Sequence, residues 1–140
     1  PPPPRPPPPP PPPRHSTRRQ RQMCIRDRAD EDHGRWLFDA AHEQAASELP
    51  LTWQDDKGVI RDSIVDRTFV DGDSGERWII DYKTSRPLAD ESVQEFSARE
   101  LASYRDQLEG YRKAMSALDE RPIRCALYFT AISHMATLDA

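Results

Sequence analysis

The sequence predicts an α/β fold, of the α+β kind, in which a mixed sheet is flanked by helices. Two runs of strand character are joined by the turn signal Asp71-Gly72-Asp73-Ser74-Gly75. A long stretch with apolar residues in steps of three and four follows them, and a short apolar run, Ile123 to Phe129, closes the series. The order is helix, three strands, helix, strand. A strand that follows a long helix can lie beside the hairpin only by a crossover, so parallel and antiparallel pairs must coexist.

Taken in order, residues 30–48 have helical character, because Trp36, Leu37, Ala40, Ala41 and Ala45 form a ragged apolar stripe. Pro50 marks a change to extended chain, with Leu51 to Trp53 as a short strand before the turn residues Asp55, Asp56, Lys57 and Gly58. From Val59 to Val70 the β-branched residues predict a strand with Ile64, Asp66, Thr68 and Val70 on one face. After the turn, Arg77 to Thr84 is its hairpin partner. Pro87 ends the strand region, and Leu101, Tyr104, Leu108, Tyr111, Met115 and Leu118 mark an amphipathic helix that runs to Leu118. Pro122 precedes Ile123 to Phe129, a strand expected to be fully buried.

Composition divides the chain sharply. Of its 15 prolines, 12 fall in the first 13 positions, and residues 1–28 carry seven arginines against one acid. Such a segment cannot bury a core and reads as a disordered, non-native extension, although Arg18, Arg19, Arg21, Arg26 and Arg28 could meet phosphates. Residues 29–140 hold 13 basic and 23 acidic side chains, a formal charge of −10. That sign excludes a grip on DNA by bulk electrostatics and requires contact to be local or metal-assisted. Cys24 and Cys125 have no metal-ligand spacing, and Cys125 lies in an apolar run as a buried thiol, which points to a reducing, cytoplasmic setting. No stretch approaches the ~20 apolar residues of a membrane span.

The chemistry concentrates in Trp78-Ile79-Ile80-Asp81-Tyr82-Lys83-Thr84. Asp81 and Lys83 are two apart on a strand and share a face, an unusual pairing in an apolar strand. If the hairpin pairs symmetrically about its turn, Val70 faces Arg77 and Asp66 lies opposite Asp81. Two carboxylates would then converge beside one lysine, an arrangement that suits a hard divalent ion such as Mg²⁺ or Mn²⁺. Lys83 would orient water and offset charge in phosphodiester hydrolysis. The competing reading of the same spacing is an ordinary cross-strand ion pair on a solvated face. Gln107 and Tyr111 form an i, i+4 pair that could turn toward the sheet, or Tyr111 could be core and Gln107 solvated. His42 and Glu43, near Glu48 on the first helix, could approach the metal or lie on the surface. His33 and His134 share no spacing with them. Trp36, Trp53 and Trp78 fit packing better than base stacking.

Val65-Asp66-Arg67, Trp78-Ile79-Ile80-Asp81-Tyr82-Lys83-Thr84-Ser85 and Tyr104-Arg105-Asp106-Gln107-Leu108-Glu109-Gly110-Tyr111 together resemble the C-terminal nuclease domain of UvrD-like, AddA-type and RecB-type helicase-nucleases. The resemblance covers Trp36 to Phe129. It implies the restriction-endonuclease-like PD-(D/E)xK core of helix, three strands, helix, strand. By that resemblance Asp66 and Asp81 are metal ligands and Lys83 is the catalytic lysine. Gln107 and Tyr111 hold the site and the DNA strand, with Tyr82 and Glu48 in support. The family also uses an upstream Gly-x-x-x-His ligand, and no such pattern precedes Asp66, which makes residues 29–140 read as a partial domain.

The activity implied is a Mg²⁺-dependent exonuclease module working in double-strand break repair and recombination. ATP would serve only helicase domains elsewhere in the parent chain, and the partners implied are DNA, those domains and a second helicase-nuclease subunit, with no membrane. The run Tyr128 to Ala140, which resembles the tail of helicase-borne copies, favours this over a free-standing nuclease. An inactive nuclease-like domain used for DNA binding or subunit contact is the alternative.

Overall fold

The computed structural model describes residues 1–4 and 32–139. The arginines of the arm, His15 and Cys24 lie outside them. The elements are α1 (Asp32–Leu37), β1 (Glu43–Gln54), β2 (Ile60–Val70), β3 (Arg77–Lys83), α2 (Val93–Ser116), β4 (Ile123–Phe129) and β5 (His134–Thr137). They build one five-stranded mixed sheet of order β1-β2-β3-β4-β5. The pairs β1/β2, β2/β3 and β4/β5 are antiparallel, and β3/β4 is parallel, with α2 as the crossover between its strands.

Local chemistry accounts for the turns. The Asp71 carboxylate accepts the Asp73 N–H and the Ser74 hydroxyl, while Gly75, at φ 72°, takes the left-handed conformation that closes the hairpin. Ser92 caps α2, its hydroxyl accepting the Glu95 N–H at 3.1 Å. The periodic face of α2 then buries Phe96, Leu108, Tyr111, Ala114 and Met115.

Each face of the sheet has its own core. On one, α2 packs over Leu51, Val65, Ile79, Cys125, Leu127 and Phe129. On the other, Leu37 joins Phe69, Trp78, Ile80, Tyr82, Ala126 and Tyr128, flanked by Trp36 and Phe38. Trp36 meets Phe69 and Trp78 edge-on at 5.0 and 4.9 Å, and Trp53 meets Tyr111 at 6.0 Å, so all three tryptophans serve packing as expected. Cys125 is fully buried, and that burial pushes its thiol up to about 11.

Three expectations need correction. The first helix does not extend to residue 48; it ends at Leu37, and residues 43–54 form a strand. The alanines near Ala45 carry little apolar surface to hold a helix on the sheet, whereas β2 offers a long ladder that Glu43–Gln54 satisfies. Pro50 is accommodated because β1 is the edge strand, where one missing donor need not break a ladder. Second, the order helix, three strands, helix, strand is followed by one more strand, β5, whose four residues are too few to show a period. Third, Leu118 lies beyond the end of α2 and is exposed instead of extending its stripe.

Candidate metal and catalytic site

On β3 the alternation of the chain sorts the side chains cleanly. Ile80 and Tyr82 enter the core beneath α1, while Ile79 enters the core beneath α2. Asp81 and Lys83 follow Ile79 by two and four residues and therefore project toward α2. Their parallel neighbours on β4, Leu127 and Phe129, lie in that same core.

The β2/β3 register is the one expected from the turn, running from Val70↔Arg77 to Arg67↔Ile80. It stops one step short of Asp66 and Asp81, where β2 changes face. Val65 is buried beneath α2, yet Arg67, two residues on, lays its guanidinium 4.9 Å from the Phe38 ring on the α1 side. Residues two apart on a regular strand share a face, so the alternation breaks at Asp66. On β1, Glu48 falls between the pairs Ser47↔Arg67 and Leu49↔Val65 and has a φ of 55°, so the irregularity crosses both strands. This is why Ile64, expected beside Asp66, is instead 42% exposed, and Val65 takes the core position.

The break turns the Asp66 carboxylate over the β3 backbone, where its Oδ2 accepts the Tyr82 N–H at 2.8 Å. Asp66 is 3% exposed and Asp81 5%. Burial first, and the charge of Asp66 second, push the Asp81 carboxyl up to about 6, against the opposing pull of Lys83. Asp81 Oδ2 accepts no well-aligned hydrogen bond; facing it at 2.8 Å is the Lys83 ammonium. That ammonium also lies 3.7 Å from the centre of the Tyr104 ring.

α2 closes the site from above. Gln107 Nε2 donates to the Tyr111 hydroxyl at 2.6 Å, which fixes the i, i+4 pair on the sheet side of the helix. Burial raises the Tyr111 phenol, the charge of Asp81 and then that of Asp66 raise it further, and hydrogen bonds from Gln107 and Ser63 oppose them. The phenol thus sits within electrostatic reach of both acids.

Asp66, Asp81, Lys83, Gln107 and Tyr111 are therefore gathered at one place. Tyr82 is not part of that group by its side chain, which is buried on the α1 face; only its backbone N–H reaches the site, through Asp66. Glu48 is exposed on the edge strand. His42 stands apart, stacked on Phe69 at 4.1 Å and accepting the Gly72 N–H through Nδ1, so its role is to join α1 to the hairpin turn. Glu43 is exposed at the start of β1. Two participants went unrecognised in the sequence. Tyr104 shares a helical face with Gln107 and Tyr111 at i, i+3 and i+7, a readable signal; Ser63 joins only because of the break at Asp66, which leaves none.

The donor set fits a hard divalent cation. Two buried carboxylates repel one another without a cation, and both present oxygen, the ligand Mg²⁺ and Mn²⁺ prefer. Among the described residues no three His, Cys, Asp or Glu side chains come together at one point. An ion held here would take Asp66 and Asp81 and complete its shell with water and substrate oxygens, a common arrangement for Mg²⁺. No protein-family model and no curated protein matches the chain.

Proposed function

We propose that the chain carries the core of a divalent-metal-dependent deoxyribonuclease of the PD-(D/E)xK type, an exonuclease module of a helicase-nuclease. The observation that supports this best is the convergence of Asp66 and Asp81, two buried acids, with the Lys83 ammonium 2.8 Å from Asp81. An exposed cross-strand ion pair would not need burial, nor a break in β2 to turn a second acid inward. The resemblance of the three sequence runs to helicase-borne nuclease domains supplies the substrate class.

In this reading Asp66 and Asp81 hold Mg²⁺ or Mn²⁺, which supplies Lewis-acid activation of water and of the scissile phosphate. Tyr82 fixes Asp66 through its backbone N–H, so that carboxylate is set before substrate arrives. Lys83 orients the attacking water and offsets the charge that grows on the phosphoryl oxygens. Gln107 and Tyr111 brace the acids from the helix side and meet the DNA strand. The excess of acids over bases in the chain leaves the main grip on DNA to helicase domains and a second subunit, where ATP would be used. No helix among the described residues is long and apolar enough to cross a membrane.

The test is Mg²⁺-dependent degradation of linear DNA by the full chain and by Asp81→Ala and Lys83→Ala versions that retain the wild-type circular dichroism. Loss of at least ~100-fold in rate in both variants is expected. Equal cleavage by all three proteins would reject the site. DNA binding without cleavage by any of them would favour a nuclease-like binding module.

A further inference from the structure

Lys83 has two contacts that hold its charged end, and they are not equivalent. One is Asp81 Oδ2 at 2.8 Å; the other is the face of Tyr104 at 3.7 Å. The Asp81 oxygen is also where a divalent cation would bind, and a cation there competes with the ammonium for the same negative charge. An aromatic face has no such competitor. Its quadrupole attracts the ammonium directly, and a half-buried setting strengthens the attraction because little water intervenes.

We propose that Tyr104 is a positioning residue for Lys83, its ring holding the ammonium beside the two acids when Asp81 is engaged by a cation. The inference deepens the nuclease reading and rests on it for its catalytic consequence. The ring is the active part. Tyr104 lies one turn before Leu108 on α2, whose burial over the sheet fixes the height of the ring above Lys83. The lysine side chain remains 19% exposed, so its charge is held without being sealed from substrate.

Two measurements on the full chain decide this. The first needs no activity: in proton NMR, the Lys83 methylene protons next to Nζ should be shifted upfield by the ring, with and without Mg²⁺. The shift should persist in Tyr104→Phe and vanish in Tyr104→Leu. The second is a series at position 104 of phenylalanine and its progressively fluorinated forms, which keep the ring's shape and drain its π density. The cleavage rate constant is expected to match wild type within about twofold for phenylalanine and to fall with each fluorine, to about tenfold at full fluorination, with KM for DNA unchanged. A flat fluorine series, or Lys83 resonances indifferent to Tyr104→Leu, would overturn the proposal. If wild type cleaves no DNA, the nuclease reading fails alone, and the NMR comparison still decides whether Tyr104 holds Lys83.

Discussion

Asp66 accepts the backbone N–H of Tyr82 at 2.8 Å, so a side-chain oxygen satisfies that donor at the point where the β2/β3 register ends. The carboxylate acts as a structural element of the sheet and, by the same placement, as the neighbour that raises Asp81. Stability and chemistry are therefore linked at this pair, and the link can be measured.

Burial, and then the charge of Asp66, push the Asp81 carboxyl up to about 6, above its ordinary value of 3.8. A folded-state value above the unfolded one means that this group's contribution to stability is fully present below about 4 and is lost as pH rises through 6. Without divalent ions, Asp81→Asn is expected to gain on wild type over that window, reaching on the order of 3 kcal/mol at pH 7.5. Urea melts of both proteins at pH 4 and 7.5 check it; an equal difference at the two pH values would mean the carboxylate is not strained.

Adding Mg²⁺ or Mn²⁺ should reverse the penalty. At a concentration about 100 times the dissociation constant, wild type gains about 2.7 kcal/mol, seen as a rise in Tm. Asp66→Ala and Asp81→Asn should show no such rise. A rise of the same size in all three would place the ion elsewhere.

Gly110 lies where α2 crosses Trp53, and a β-carbon there would stand 2.8 Å from the indole. Gly110→Ala must push the indole aside, at a cost of about 1–3 kcal/mol. Because Trp53 also meets Tyr111 edge-on, the displacement should disturb the site as well as the fold. Chemical denaturation followed by tryptophan fluorescence reports both: a lower midpoint and an altered native spectrum.

Arg77 and Asp119 form an ion pair at 2.8 Å with side chains only 7% and 6% exposed, joining the start of β3 to the turn that follows α2. Asp119→Ala removes the charged partner of a buried guanidinium that keeps its hydrogen bonds to Gln44, and should cost about 1–3 kcal/mol. The pair Lys113 and Asp56, at 2.7 Å but with Asp56 almost fully exposed, is screened by water, so Asp56→Ala should leave the melting curve unchanged. Equal effects would show that burial is not what distinguishes them.

Where pattern and chemistry were local, the sequence was legible. The hairpin turn carried its own acceptors in Asp71 and its own left-handed residue in Gly75, so the register of β2 and β3 could be read before any fold was known. The spacing of Asp81 and Lys83 placed them on one face by the period of a strand alone. The apolar steps along α2 marked which side meets the sheet, and Ile123 to Phe129 stood out because a central parallel strand is buried on both faces.

Other features depended on partners distant in the chain. Glu43 to Ser47 has no strong period, and only the ladder offered by β2 makes it a strand and not a continuation of α1. The face change at Asp66 is set jointly by Glu48 on β1 and Tyr82 on β3, residues that no local spacing brings together. By itself, the sequence determined which residues could do chemistry and along which faces they lie. Only the tertiary structure decided that Asp66 reaches Asp81 through a break in β2 and not as a regular cross-strand pair, and that the Tyr104 ring meets Lys83. Burial and cross-strand competition for hydrogen bonds act between elements, and they leave no period in the chain to read.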